Sequence, residues 1–302
     1  MNQPRIAFLG LGIMGGGMAQ RLLANGFPLT VFNRSAEKAR PVAAEGAHVA
    51  ASPREAAAQA DVIISMVADD NASRNLWLGP SGSGPYPAGR GDNGALAAAK
   101  PGTICVECST VTVDWIRELA AAAQKQKCEF LDAPVTGSKP HAASGELTFL
   151  VGGDAAVLEK ARPVLAAMSK AIVYLGPAGS GALVKLINNF VCGVQIAALA
   201  EGLAMIERSG LDRVKALEVL TGGAPGSPLV KTVASRMTAP DFTPNFLLRL
   251  MAKDLGYAIQ EGGQLSVELL TAAAALKEFQ KAIAAGHGDR DIAAVVEPFR
   301  KG

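Results

Sequence analysis

An α/β architecture is predicted for this chain: an N-terminal doubly wound sheet, then a C-terminal all-helical domain, joined by one long helix. Three observations carry the prediction. Short apolar runs alternate with helical stretches up to about residue 176, a pattern that builds a parallel sheet with helices on both faces. After Gly176 and Pro177 the strand signal stops. An apolar segment from 179 to 208 then links the two regions, and a helix of that length runs roughly 45 Å at 1.5 Å per residue. With 302 residues there is room for two domains, drawn at 1–176 and 177–302.

In chain order, strands are expected at 6–9, 29–32, 62–67, 104–107, 130–133, 148–151 and 172–175, with helices between most of them. Ser52, Pro53 and Glu55 make a helix start, with proline at the first helical position and serine and glutamate at capping-box spacing. Residues 79–94 are rich in Gly, Pro and Ser and read as a surface loop. Beyond 177, helices are expected at 179–208, 211–220, 228–237, 246–261 and 266–285.

Composition narrows the function classes. A net charge of +2 leaves no electrostatic footprint for nucleic acid. No basic region precedes the first apolar run, so no signal peptide is expected. The apolar stretch 186–200 is interrupted by Asn188, Asn189 and Gln195, so membrane insertion is not expected either, and a cytoplasmic location is. Cys105 and Cys108 have C-x-x-C spacing but fall on a strand, where residues three apart point to opposite faces. Cys128 and Cys192 supply no second pair, and His48, His141 and His287 have no metal-ligand spacing. No metal is expected, and the thiols read as reduced.

The strand at 6–9 runs into Gly10, Gly12 and Gly15, with a helix beginning after Gly12 at Ile13 and Met14. This is the strand–turn–helix context that a G-x-G-x-x-G pattern needs to bind a dinucleotide. Gly10 makes the tight turn, Gly12 lets the backbone approach a pyrophosphate, and Gly15 lets helix and strand pack closely. The next strand ends in Asn33, Arg34 and Ser35. An NAD site usually carries an acid here, to hold the ribose 2′-hydroxyl. This turn has none, and the planar Arg34 cation suits a 2′-phosphate, so NADPH is the expected cofactor. Ser35 alternatively caps the following helix, which leaves Arg34 available.

Lys185, Asn188 and Asn189 share one face of the long apolar helix. A cation and two amides are costly to bury without partners, so this is either a structural polar cluster or a substrate site. Two loops after strands add hydroxyls. One holds Glu107, Cys108, Ser109 and Thr110; the other runs from Asp132 through Thr136, Gly137 and Ser138 to Lys139. Hydroxyls beside glycine form a workable anion cradle, although each serine or threonine alone reads equally as a cap or turn residue. The chemistry is expected in the cleft between the domains.

Four ordered motifs then coincide: Gly10-Leu-Gly-Ile-Met-Gly, Cys108-Ser-Thr-Val, Asp132-Ala-Pro-Val-Thr-Gly-Ser-Lys-Pro and Gly181-Ala-Leu-Val-Lys-Leu-Ile-Asn-Asn. With them the chain resembles the β-hydroxyacid dehydrogenase family over nearly its whole length. The Thr-Gly-Ser-Lys-Pro variant and the Asn33–Ser35 turn look most like its glyoxylate/succinic semialdehyde reductase branch. The resemblance implies a Rossmann-type N-terminal domain and gives each position a role. Lys185 matches the catalytic lysine and Asn189 the asparagine that holds substrate. Thr136 and Gly137 match the substrate-binding turn, with threonine where the family usually has serine. Thr110, Phe246 and Asp254 match further active-site positions, Lys253 matches a cofactor-contacting lysine, and Met66 and Val67 match the loop along the cofactor. The 79–94 loop is longer than the family's usual form.

The implied reaction is hydride transfer to an aldehyde carbon, with Lys185 as general acid. An ordinary lysine, with a pKa near ~10.4, is a poor base but an available acid at neutral pH. The implied partners are a carboxylate-bearing small molecule and a second copy of the chain, as a homodimer or higher homo-oligomer. Three alternatives stand beside this reading: a 3-hydroxyisobutyrate-type dehydrogenase, an imine reductase and a non-catalytic nucleotide-binding protein. Lys185 with Asn189 argues against the last two.

Overall fold

A computed structural model describes residues 3–80, 93–239 and 241–300. The first part of the chain contains β1 (Ile6–Leu9), α1 (Gly15–Ala24), β2 (Leu29–Phe32), α2 (Arg40–Ala44), β3 (His48–Val49), α3 (Pro53–Ala57), β4 (Val62–Ser65) and α4 (Asp70–Leu78). It continues with β5 (Ile104–Glu107), α5 (Val113–Lys125), β6 (Glu129–Asp132), β7 (Val135–Thr136), α6 (Lys139–Ser144), β8 (Leu147–Gly153), α7 (Ala155–Ala166) and β9 (Ser169–Gly176). Then come α8 (Ser180–Ser209), α9 (Arg213–Gly222), α10 (Pro228–Thr238), α11 (Leu248–Gln264), α12 (Leu270–Ala282) and α13 (Glu297–Arg300). The described contacts divide the chain into Met1–Lys185 and Leu186–Gly302, so the division falls inside α8.

The first unit is a nine-stranded sheet in the order β3-β2-β1-β4-β5-β6-β8-β7, with β9 paired to β8. Strands β1 to β6 pair parallel wherever they touch, and β1, β4 and β5 are buried at every position, as strands covered on both faces must be. The sheet is mixed beyond β6, because β8 runs antiparallel to β6 and β7. Chain order reverses at the β1/β4 boundary, and ligands of such sheets bind outside the carboxyl ends of the strands at this point. Phe8, Ile64, Val106, Leu131 and Phe149 form the spine of the core.

Two short strands, β3 and β7, escape the sequence pattern because two residues carry no readable alternation. The strand expected at 62–67 stops at Ser65, which releases Met66 and Val67 into the loop. Ser52 caps α3 by accepting the Glu55 N–H at 3.1 Å, but Glu55 reaches back to the Ala51 N–H at 2.8 Å rather than to the cap residue itself. Most of the loop expected at 79–94 lies outside the described residues.

The second unit is helical. Its core joins Ile196, Leu199 and Leu203 of α8 to Val233 and Met237 of α10, Met251 and Leu255 of α11 and Phe279 of α12. By length and composition α8 is apolar enough to cross a bilayer, a property the polar interruptions in the sequence had argued against. Its buried side chains, among them Ile196, Ala200 and Leu203, belong to this helical core.

Candidate active site

The turn after β1 is shaped for a nucleotide. Gly10 has φ +101°, and a Cβ there would stand 2.3 Å from the Met66 carbonyl oxygen and 2.8 Å from Val67 Cγ1. Only glycine fits, and its absence of a side chain lets the Met66–Val67 loop lie across the turn. A Cβ on Gly15 would meet the Gly10 carbonyl oxygen at 2.0 Å, so this glycine serves helix–strand packing. Gly12 is different: it is exposed, and its missing Cβ would meet nothing within 4 Å. Open space there, ahead of α1 where the first N–H groups have no partner within the helix, fits a pyrophosphate. The donor set suits a dinucleotide, with Ile13 and Met14 opening the helix.

Asn33 fixes the second turn. Its Oδ1 accepts the Leu11 N–H at 2.8 Å and its Nδ2 donates to the Ser35 carbonyl at 2.9 Å. Its amide is therefore spent on tying the β1 and β2 turns together. Arg34 stands exposed beside it. Ser35 precedes a short 3-10 turn, Ala36–Ala39, without a side-chain cap bond, so the capping role weighed for it is not the one it takes.

A buried carboxylate organises the loops after β4 and β5. Glu107, fully buried at the end of β5, accepts the Trp77 indole N–H and the Ser73 hydroxyl on Oε2, and the Ser109 N–H on Oε1. Ser109 Oγ in turn accepts the Val67 N–H at 2.8 Å. The chain Glu107–Ser109–Val67 thus locks the loop carrying Thr110 to the loop carrying Met66 and Val67. Glu107 at the end of β5 and Ser109 in the loop after it are both visible in the sequence, yet neither receives a role from spacing. The signal was an acid ending an apolar strand, which burial requires to be partnered. Burial also pushes up the thiol of the neighbouring Cys108.

Thr136 lies on β7 opposite Thr148 of β8, rather than in a free loop. Gly137 follows with φ +117°, and a Cβ there would press on Leu147 Cδ2 at 2.9 Å and His141 Cβ at 3.1 Å. Ser138 caps α6 together with His141, whose Nδ1 accepts the Ser138 N–H. The β7 pairing, the positive φ of Gly137 and the Ser138–His141 bonds together fix the backbone path of this turn.

In the second unit, Asn189 is 3% exposed and donates from Nδ2 to Asp254 Oδ2 at 2.5 Å, while its Oδ1 accepts from Asn188 Nδ2 at 2.9 Å. Lys253 Nζ lies 3.0 Å from Asp254 Oδ1, as an ion pair that is not a well-aligned hydrogen bond, and 5.0 Å from the Tyr257 ring centre. The sequence cluster Asn188–Asn189 and the later pair Lys253–Asp254 thus form one polar group. Lys185 stands one turn before Asn189 on the same helix, half-buried. Phe246 is anchored through its backbone: its N–H and that of Asn245 donate to Asp291 Oδ2.

A Rossmann-type sheet with this glycine turn, followed by a long helix that carries Lys185 and a carboxylate-held asparagine, defines an oxidoreductase that binds a nicotinamide cofactor. Residues 5–176 match the model of the NAD binding domain of 6-phosphogluconate dehydrogenase, and residues 179–299 that of the NAD-binding domain of NADP-dependent 3-hydroxyisobutyrate dehydrogenase. The chain is 36% identical to the NAD-dependent L-serine dehydrogenase of Pseudomonas aeruginosa, over 98% of this chain and 97% of that one. It is 34% identical to glyoxylate/succinic semialdehyde reductase 1 of Arabidopsis thaliana, over 98% of each. The structure of Mycobacterium tuberculosis 3-hydroxyisobutyrate dehydrogenase with L-serine superposes with a TM-score of 0.85 at 35% identity, covering 99% of both chains. The chain belongs to the β-hydroxyacid dehydrogenase family.

Proposed function

We propose that the protein is an NADPH-dependent reductase of short aldehyde acids, with succinic semialdehyde and glyoxylate as leading substrates and the hydroxy acids as products. The observation that carries this is the polar face of α8, where Lys185 is followed one turn later by an asparagine whose amide is fixed by Asp254. The nicotinamide, when bound, supplies the hydride. Lys185 then stabilises the charge that develops on the carbonyl oxygen and donates a proton to it. Thr136, the Gly137 N–H and the remaining N–H of Asn189 are assigned to the substrate carboxylate, with Thr110 and Phe246 as further substrate contacts and Lys253 as a cofactor contact. The preference for NADPH rests on the neutral Asn33 and the exposed Arg34, which together leave no acid to hold a ribose 2′-hydroxyl.

A second reading has a specific basis: oxidation of a hydroxy acid such as L-serine with NAD, which is what the Pseudomonas relative is named for. Rates with NADPH and NADH against succinic semialdehyde, glyoxylate and L-serine separate the two. NADPH-linked reduction at least tenfold more efficient than NAD-linked serine oxidation supports the first, and the reverse order replaces it.

The same proposal includes a homodimer or larger homo-oligomer. It is supported by Met205 near the end of α8, Leu211 in the connection after it, and Val214 and Val219 on α9, which all leave apolar side chains exposed. Light scattering that returned a monomer at micromolar concentration would remove it. A cytoplasmic location is proposed alongside, in line with Cys105, Cys108, Cys128 and Cys192 forming no disulfide.

A further inference from the structure

Asp132 ends β6 and is fully buried, yet it has no place in the chemistry assigned above. Its Oδ1 accepts the Gly179 N–H at 2.8 Å and its Oδ2 accepts the Ala182 N–H at 2.8 Å. These amides are the opening turn of α8, which begins at Ser180 and carries Lys185 three residues beyond Ala182. The carboxylate thus does for α8, from another strand, what a capping side chain does locally. Its negative charge also faces the positive end of a long helix dipole.

The socket around Asp132 is built to this shape. A Cβ on Gly152 would stand 2.5 Å from Asp132 Oδ1 and 2.8 Å from the Pro177 carbonyl oxygen. A Cβ on Gly181 would stand 2.9 Å from Asp132 Oδ2 and 2.2 Å from the Leu150 carbonyl oxygen. Two glycines therefore let β8 and α8 close on the carboxylate from either side. Burial pushes the carboxyl above its usual range, while the backbone N–H groups hold it down. Both oxygens face donors, and an amide in their place would turn an N–H toward another N–H.

We propose that Asp132 is a positioning residue: it fixes the height and rotation of the first turn of α8 at the carboxyl end of β6, and through that turn the placement of Lys185. This rests on Lys185 being the proton donor of the proposed reaction. An error of about an ångström in such a group can cost about 10²-fold in rate.

The test is a double-mutant cycle with succinic semialdehyde and NADPH, using Asp132→Asn, Lys185→Ala and the pair, with NADPH affinity by fluorescence and cooperative thermal unfolding followed in each. Asp132→Asn is expected to lower kcat by about 10–100-fold, with NADPH Kd changed less than about threefold. In the Lys185→Ala background the same substitution is expected to lower kcat less than about threefold, because a residue acting through Lys185 has nothing left to position. Losses that simply multiply, or an Asp132→Asn variant with unchanged kcat, overturn the proposal. If Asp132→Asn does not unfold cooperatively, Asp132→Ser, which keeps one acceptor, takes its place in the cycle. Failure of both to fold makes Asp132 a folding residue and also overturns it. A Lys185→Ala enzyme with full turnover is a separate result, since it removes the assigned role of Lys185 whatever Asp132 does.

Discussion

The cofactor turn of the sheet unit and the polar group of the helical unit are built by opposite means. Around Gly10 every constraint is set by near neighbours in the sheet: a positive φ, a strand before, a helix after and a loop from the adjacent strand crossing at van der Waals limits. Around Asn189 the constraint comes from Asp254, 65 residues away, and without it the buried Nδ2 of Asn189 loses its acceptor. The first kind of site is specified by backbone conformation, which glycine writes directly into the sequence. The second is specified by side-chain pairing across packed helices, where the sequence shows two polar residues but not that they meet.

The largest expected effect tests whether chemistry and cofactor binding separate along these lines. Lys185→Ala is expected to lower kcat by about 10²–10⁴-fold while NADPH Kd stays within a few-fold, read by steady-state kinetics and fluorescence titration. A parallel loss of cofactor affinity would mean that the lysine belongs to the nucleotide site instead. Next, Asp254→Ala removes the acceptor for Asn189 and leaves a buried N–H unpaired, a cost of about 1–3 kcal/mol. Efficiency with succinic semialdehyde should fall by about 10–100-fold. Asp254→Asn, which keeps an acceptor oxygen, should fall less. Equal losses for the two would show that charge, not orientation, is what Asp254 contributes.

The strands at 6–9, 29–32 and 104–107 are legible in the sequence to the residue, because fully buried or half-buried parallel strands write continuous or alternating apolar runs. The antiparallel turn of the sheet at β7 and β8 is not legible. Its pairing depends on Val135 and Thr136 meeting Phe149 and Thr148, a long-range choice that two residues cannot announce. In the site, the glycines and Lys185 stand out by residue type against an apolar background. Glu107 and Asp132 do not, because their roles consist of whose N–H groups reach them. Asn33 stands between the two cases: the sequence marks its turn, but only the structure shows its amide bridging Leu11 and Ser35.

Smaller effects sharpen the contrast. Arg34→Ala should raise the NADPH Michaelis constant by about tenfold and leave NADH nearly unchanged, since a charge-assisted contact is worth about 1.5–3 kcal/mol. Loss with both cofactors would place Arg34 in the shape of the turn rather than on the 2′-phosphate. Smallest is the ion pair between Glu207 and Arg300 in the helical unit, where hydrogen bonding to the guanidinium holds the Glu207 carboxyl below its usual range. A lowered carboxyl contributes stability that is present above its unfolded pKa and lost as pH falls through the folded one. Glu207→Gln should therefore cost about 0.5 kcal/mol near pH 7 and converge with the parent only once pH has fallen through the lowered folded pKa, read by thermal unfolding across pH. A difference that persisted in acid would assign the loss to packing.

The proposed reduction of a carboxylate-bearing aldehyde by NADPH is decided by kcat/KM for succinic semialdehyde, glyoxylate and butanal, each with saturating NADPH and then NADH. NADPH with the two acids should exceed butanal by at least about 10²-fold, because a site built to hydrogen-bond a carboxylate is left with unpaired groups by an aldehyde that lacks one. Butanal turned over as efficiently as succinic semialdehyde, or NADH used as well as NADPH, would rule out the proposed substrate and cofactor.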